Sequence, residues 1–250
     1  MTDRHPIVAA LVGRAMRHGI ARQFNAIRLS GALPRAVENG PLIVCANHSS
    51  WWDPAVFAAL QHRLFHPRHG YGPIDAQALK RYPLLERAGL IPLDATDPAT
   101  LRVFLRRARR LLANGHVLWI TAQGRFVDPR LRPIVLQSGV AHLARQHPGV
   151  RILPLAIEYP FWTESRPEIL LRFGDAFTTA PDARPAITLA TLSNALTDTM
   201  DRLATDAQTR DPARFTTLAT GRAGVGGVYD TIRRVHAWGH GRRFNARHEA

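Results

Sequence analysis

Apolar positions along this chain recur with two periods, one close to four and one set by short unbroken runs. Val8, Val12, Met16, Ile20 and Phe24 step by four, with Leu11 and Ile27 alongside and Arg14, Arg17, His18, Arg22 and Arg28 in other positions. This pattern predicts an amphipathic helix over 6–28. Two settings suit it: the plane of a lipid surface, or the protein's own core. The spacing leaves both open. Leu42, Ile43, Val44, Cys45 and Ala46 form an unbroken apolar run and read as a buried strand. Asp53-Pro54 follows a few residues later, and Asp before Pro is a natural helix start, so a helix is expected from Asp53 to about Leu64.

Further on, 76–88 reads as one or two short helices broken at Pro83, and 89–94 as a turn and a short strand. Leu101, Phe104, Leu105, Ala108, Leu111 and Leu112 share one face of a helix over 98–114, with arginines largely opposite and Gly115 as its stop. Strands are expected at 26–30, 117–120, 150–157 and 168–174, with Pro154 marking the third as an edge or a bulge. Helices are expected at 138–146, capped by Ser138, and at 186–209. The alternation of strands and helices predicts an α/β fold: a single domain with a mostly parallel central sheet flanked by helices, plus the N-terminal amphipathic helix. Residues 1–30 form that helical segment, 31–210 the core domain and 211–250 a basic tail. Val228, Ile232, Val235 and Trp238 give the tail a short apolar stripe beside Arg233, Arg234, Arg242 and Arg243, which suits a membrane surface, a docking contact or a frayed end.

Composition narrows the setting. The 250 residues carry a formal charge of +14, almost all of it from arginine, since Lys80 is the only lysine. Such a surface favours anionic partners: nucleic acid, an anionic membrane face, or the phosphates of a thioester carrier. No apolar run approaches the ~18 residues that span a bilayer, and no secretory signal pattern is read at the N-terminus. The single cysteine, Cys45, lies in the predicted buried strand and reads as a small core residue. His62 and His66 are one helical turn apart without acidic or cysteine support, so no metal is expected.

The chemistry gathers between the first apolar run and the helix after it, at Asn47-His48-Ser49-Ser50-Trp51-Trp52-Asp53. A histidine at a strand end, followed by an aspartate, allows the carboxylate to hold one ring nitrogen while the other takes a proton from a hydroxyl. The string resembles the first motif of the glycerolipid acyltransferases, the PlsC-like family. Three later segments resemble that family's other blocks in order. Gly89 to Asp94 resembles the second, although Ala95 stands where the family has arginine. Gln123-Gly124-Arg125-Phe126 occupies the place of Glu-Gly-Thr-Arg. Leu153-Pro154-Leu155-Ala156-Ile157 resembles the fourth.

The resemblance implies an O-acyltransferase of lipid metabolism. His48 is the general base and Asp53 orients it; Asn47, Ser49, Asp94, Gln123, Gly124 and Pro154 line the substrate site. Backbone N–H groups near Gly124 or Ser49 are the expected oxyanion donors. The missing family arginines leave Arg125, Arg130 and Arg132 as candidates for an acceptor phosphate, or an acceptor without a phosphate monoester. No cofactor is expected. The implied partners are an acyl donor (acyl carrier protein or coenzyme A thioester), a lipid hydroxyl acceptor and an anionic membrane surface, on the inner face of the cell membrane. A serine hydrolase is disfavoured because no Gly-x-Ser-x-Gly string is present. Nucleic acid is not an expected partner, since the arginines are scattered and no recognised motif appears. A non-catalytic lipid- or carrier-binding relative remains the alternative.

Overall fold

A computed structural model describes residues 4–34, 40–94, 96–147, 149–180, 183–222, 224, 227–241 and 243. Its centre is a nine-stranded sheet. In chain order the strands are β1 (Ala26–Ser30), β2 (Leu42–Ala46), β3 (Gly70–Asp75), β4 (Leu90–Leu93), β5 (Val117–Thr121), β6 (Arg151–Glu158), β7 (Ile169–Phe173), β8 (Phe177–Thr178) and β9 (Phe215–Thr220). In space they run β4-β3-β5-β2-β6-β7-β1-β9, with β8 also on β6. β4, β3, β5, β2 and β6 are mutually parallel, so their C-terminal ends share one edge. In open α/β sheets that edge is where ligands bind. β7 turns back antiparallel to β6, β1 is parallel to β7, and β9 closes the sheet antiparallel to β1.

The helices are α1 (Pro6–Gln23), α2 (Asp53–Leu64), α3 (Ala76–Arg81), α4 (Leu84–Ala88), α5 (Pro98–Ala113), α6 (Gly139–Gln146), α7 (Pro185–Gln208) and α8 (Gly227–Gly239). The period-2 alternation of the strands sorts their side chains onto two helical layers. Leu42, Val44 and Ala46 of β2, with Leu153, Leu155 and Ile157 of β6, pack toward α1 and α2. Ile43 and Cys45 point to the opposite layer with Phe104, Ala108 and Leu112 of α5, Val140 and Leu143 of α6, and Leu192 of α7. Both faces of β2 are therefore buried, as its unbroken apolar run requires.

Several expectations are revised. α1 ends at Gln23, not 28, and Met16, Ile20 and Phe24 pack into the core. The stripe that suited either setting is core; the outward face keeps Ile7 and Leu11. Arg28 lies in β1, buried, with its Nε 3.0 Å from Glu168. Pro154 occupies a central strand, not an edge. Its carbonyl accepts from Gly174 N–H at 3.0 Å, so its backbone faces the gap between β7 and β8, where no ladder partner needs an N–H. Ser138 precedes α6 but makes no side-chain cap. β3, β8 and β9 are strands the pattern did not indicate. Among the described residues no helix is long and apolar enough to cross a membrane.

Candidate active site

The C-terminal end of β2 meets the loop after β5 and the end of β6, and this corner holds the sequence-predicted histidine. Asn47, fully buried, comes first. Its amide donates to Ile157 O at 3.0 Å and its carbonyl accepts from Ile157 N at 2.8 Å. Both polar ends are engaged in stitching β2 to β6, so Asn47 fixes the corner. His48 is then held by its backbone on two sides. Its N–H donates to Gln123 Oε1 at 2.8 Å, and its carbonyl accepts from Val127 N–H at 2.8 Å.

The His48 ring lies with Nδ1 2.7 Å from Asp53 Oδ2. The Asp53 side chain is 0% exposed and that of His48 19%. A carboxylate only accepts, so Nδ1 carries the proton and Nε2 presents its lone pair. Among the described residues Nε2 has no protein partner, and Phe126 shields the ring at a centroid distance of 4.3 Å. Trp51, 84% exposed, lies 6.0 Å beyond Phe126.

Asp53 does not cap its own helix. Its carboxylate turns back to the preceding loop, where Oδ2 also accepts from the N–H groups of Ser49 at 3.2 Å and Ser50 at 3.3 Å. Oδ1 accepts from the Tyr159 hydroxyl at 2.6 Å. A buried carboxylate without a cation beside it needs its lone pairs filled, and here four donors fill them. The sequence pattern did not single out Tyr159 as a site residue. Its place beside Asp53 follows from β6 lying next to β2, which is a property of strand order and not of local sequence.

The other predicted residues separate. Gln123, 4% exposed, supports the His48 backbone. Gly124 turns the loop at φ +67°, and a Cβ there would come within 3.0 Å of Gln137 Cγ. The two expected oxyanion donors are already engaged: Ser49 N–H by Asp53, and Gly124 N–H by Thr121 O at 3.1 Å. The Ser49 hydroxyl is buried and without a partner among the described residues. Arg125 is exposed beside Phe126 and unpaired among the described residues. Arg130 forms a two-point pair with Asp128 at 2.9 and 2.6 Å, and this guanidinium holds the Asp128 carboxyl well below the usual carboxylate range. Arg132 is spent on Asp201 at 2.6 Å and on two backbone carbonyls.

Asp94 ends β4, the edge strand, separated from β2 by β3 and β5. Its carboxylate accepts from the hydroxyl of Thr96 at 2.7 Å and from its N–H at 2.8 Å, which lowers its proton affinity. Pro154 is buried in mid-strand against Gly174, away from the dyad. Cys45 is fully buried, and burial pushes its thiol up to about 12, so it stays protonated and inert.

A cavity of about 280 Å³ lies between α1, α2, β1 and β9. Ile20, Phe24, Ile27, Leu60 and Leu218 make its interior apolar, while Arg17, His62 and Arg63 also line it. Phe24 links it to the dyad, packing at 5.1 Å on Trp52 and 5.7 Å on Tyr159.

A fixed histidine hydrogen-bonded to a buried carboxylate stands at the strand ends of an α/β sheet, an arrangement able to move a proton. The acyltransferase family model matches residues 27–158, more than half of the chain, and the chain belongs to that family. It is an acyltransferase. Its fold is similar to that of the 1-acyl-sn-glycerophosphate (LPA) acyltransferase PlsC from Thermotoga maritima, with a TM-score of 0.56, 14% identity, and coverage of 78% of this chain and 79% of that one. No curated protein sequence matches.

Proposed function

We propose that the protein transfers a fatty acyl group from a thioester, on acyl carrier protein or coenzyme A, to the hydroxyl of a lysophospholipid or related lipid. The observation that carries this reading is the 2.7 Å contact between His48 Nδ1 and Asp53, which leaves Nε2 open at a partly exposed position. Nε2 takes the acceptor's hydroxyl proton as the oxygen forms its bond to the thioester carbonyl carbon. Asp53 stabilises the imidazolium so formed. When the tetrahedral intermediate collapses, the carbon–sulfur bond breaks and the imidazolium returns its proton to the leaving thiolate. The lipid nature of the acceptor is supported by the similarity to the 1-acyl-sn-glycerophosphate acyltransferase of Thermotoga maritima and by the apolar cavity behind Phe24, which suits an alkyl chain.

His48→Ala tests the mechanism. Acyl transfer from thioester donors to lysolipids is expected to fall by about 10³-fold or more with an unchanged melting temperature. Near-native turnover in a folded variant rejects the assignment.

Attachment to an anionic membrane face belongs to the same reading and rests on α8, where Ile232, Val235 and Trp238 are 62%, 61% and 83% exposed beside Arg233 and Arg234. Trp and aliphatic side chains on a basic helix suit the headgroup boundary. The variant Ile232→Glu/Trp238→Glu is expected to lose about tenfold or more in affinity for anionic vesicles. Deleting 1–28 is no test, because α1 is part of the core. Unchanged vesicle binding by the variant removes α8 from the reading.

A further inference from the structure

We propose that Tyr159 is a positioning residue for acyl transfer, setting the plane of the Asp53 carboxylate that His48 works against. The inference rests on the His48 general-base reading and adds a third member to it. His48, Ser49 and Ser50 all approach one carboxylate oxygen, Oδ2. Rotation about the Cβ–Cγ bond swings both oxygens, and these three donors resist it from the Oδ2 side alone. The Tyr159 hydroxyl, 2.6 Å from Oδ1, supplies the second fixed point and stops that rotation. With the plane fixed, the Nδ1 proton meets a lone pair in the plane, the favoured direction.

Tyr159 is itself held from three sides. Two residues before it, Ile157 is clamped by both ends of the Asn47 amide. One residue after it, Pro160 O accepts from Glu168 N–H at 2.8 Å. Phe24, at the end of α1, packs on its ring. A ring so fixed delivers its hydroxyl to one point. Burial, and then the charge and hydrogen bond of Asp53, raise the phenol well above its ordinary range against the opposing effect of Ser50. Tyr159 therefore stays a donor at any working pH, which its role requires. A tyrosine serving only to fill space here would need neither the hydroxyl nor its aim at Oδ1.

Tyr159→Phe keeps the ring and removes only the donor. With acyl-coenzyme A and lysolipid as substrates, kcat is expected to fall about tenfold, with KM for both within about twofold. The far-downfield proton resonance of His48 Nδ1–H, assigned by its loss in His48→Ala, is expected to broaden as the pair becomes less fixed. Unchanged kcat and resonance in Tyr159→Phe, with His48→Ala inactive, overturn this inference and leave the base assignment standing. An active His48→Ala overturns the base assignment itself. If Tyr159→Phe does not fold, Asp53→Asn/Tyr159→Phe replaces it. It is expected to match Asp53→Asn alone in kcat, because no carboxylate remains to be held. A further tenfold loss in the double variant places the hydroxyl's role elsewhere and overturns the inference.

Discussion

Two neighbouring parts of the site use charge in opposite ways. At the end of β2 one buried carboxylate is surrounded by four neutral donors when His48 is counted as the neutral imidazole, and no guanidinium is among its hydrogen-bond partners. In the loop after β5, three arginines stand within eight positions, yet two of them are already occupied by aspartates and carbonyls. Rigid placement and a single uncompensated charge mark the first part. Charge cancellation at the surface marks the second. The proposed proton transfer draws on the first, because a preorganised charge in a dry site acts strongly on a developing imidazolium. Arginines in water, already paired, contribute a dipole and little field.

The sharpest way to break this contrast is to remove the buried charge while keeping its shape. Asp53→Asn is expected to lower kcat about 10³-fold or more, with a small change in KM. The amide cannot stabilise the imidazolium, and as a donor it favours the wrong tautomer of His48. Combining it with His48→Ala is expected to add almost nothing, because the two act as one unit. Steady-state kinetics on the single and double variants check both statements. Additive losses would mean that Asp53 acts on something other than His48.

How much of this was legible in the sequence follows the same division. The apolar run of β2, His48 and the Asp-Pro helix start are local signals, and the structure brings His48 and Asp53 to 2.7 Å of each other. Gln123 was legible as a site position, but its use, holding the His48 backbone, depends on β5 and β2 being neighbours. Tyr159 depends on β6 being the other neighbour. Neither adjacency is written in a local window. β3 was missed because its sequence carries Gly70, Gly72 and Pro73 where a strand signal expects β-branched residues. Gly72 is required there, since a Cβ would meet Trp119 O at 3.0 Å. β9 is an edge strand with two buried positions, Phe215 and Leu218, too few to show a period. The helix α1 was visible as amphipathic, but only packing decides which partner covers its stripe. Arg130 and Arg132 were read as phosphate candidates, but Asp128 takes the first, and the carboxylate that takes the second, Asp201, lies far off in sequence on α7.

The finest distinction concerns Arg125 and Arg130. Both are exposed, both lie in the loop beside Phe126, and composition alone makes them equal. Arg130 forms two hydrogen bonds to Asp128, so the pair carries no net charge. Arg125 has no such partner among the described residues and sits next to Phe126, whose ring covers His48. For an acceptor with an anionic head group, Arg125→Ala is expected to raise KM about three- to tenfold with kcat nearly unchanged, the pattern of lost uniform binding. Arg130→Ala is expected to change KM by less than about twofold, because Asp128 already occupies its guanidinium and the charge left on Asp128 is exposed and screened. Salt supplies an independent check: raising ionic strength from about 0.05 to 0.5 M is expected to raise the wild-type KM toward that of Arg125→Ala and to leave the variant's KM nearly flat. Equal effects from the two substitutions would mean that the Asp128 pair opens when the acceptor arrives, and the loop would then count as a reserve of charge released by its substrate.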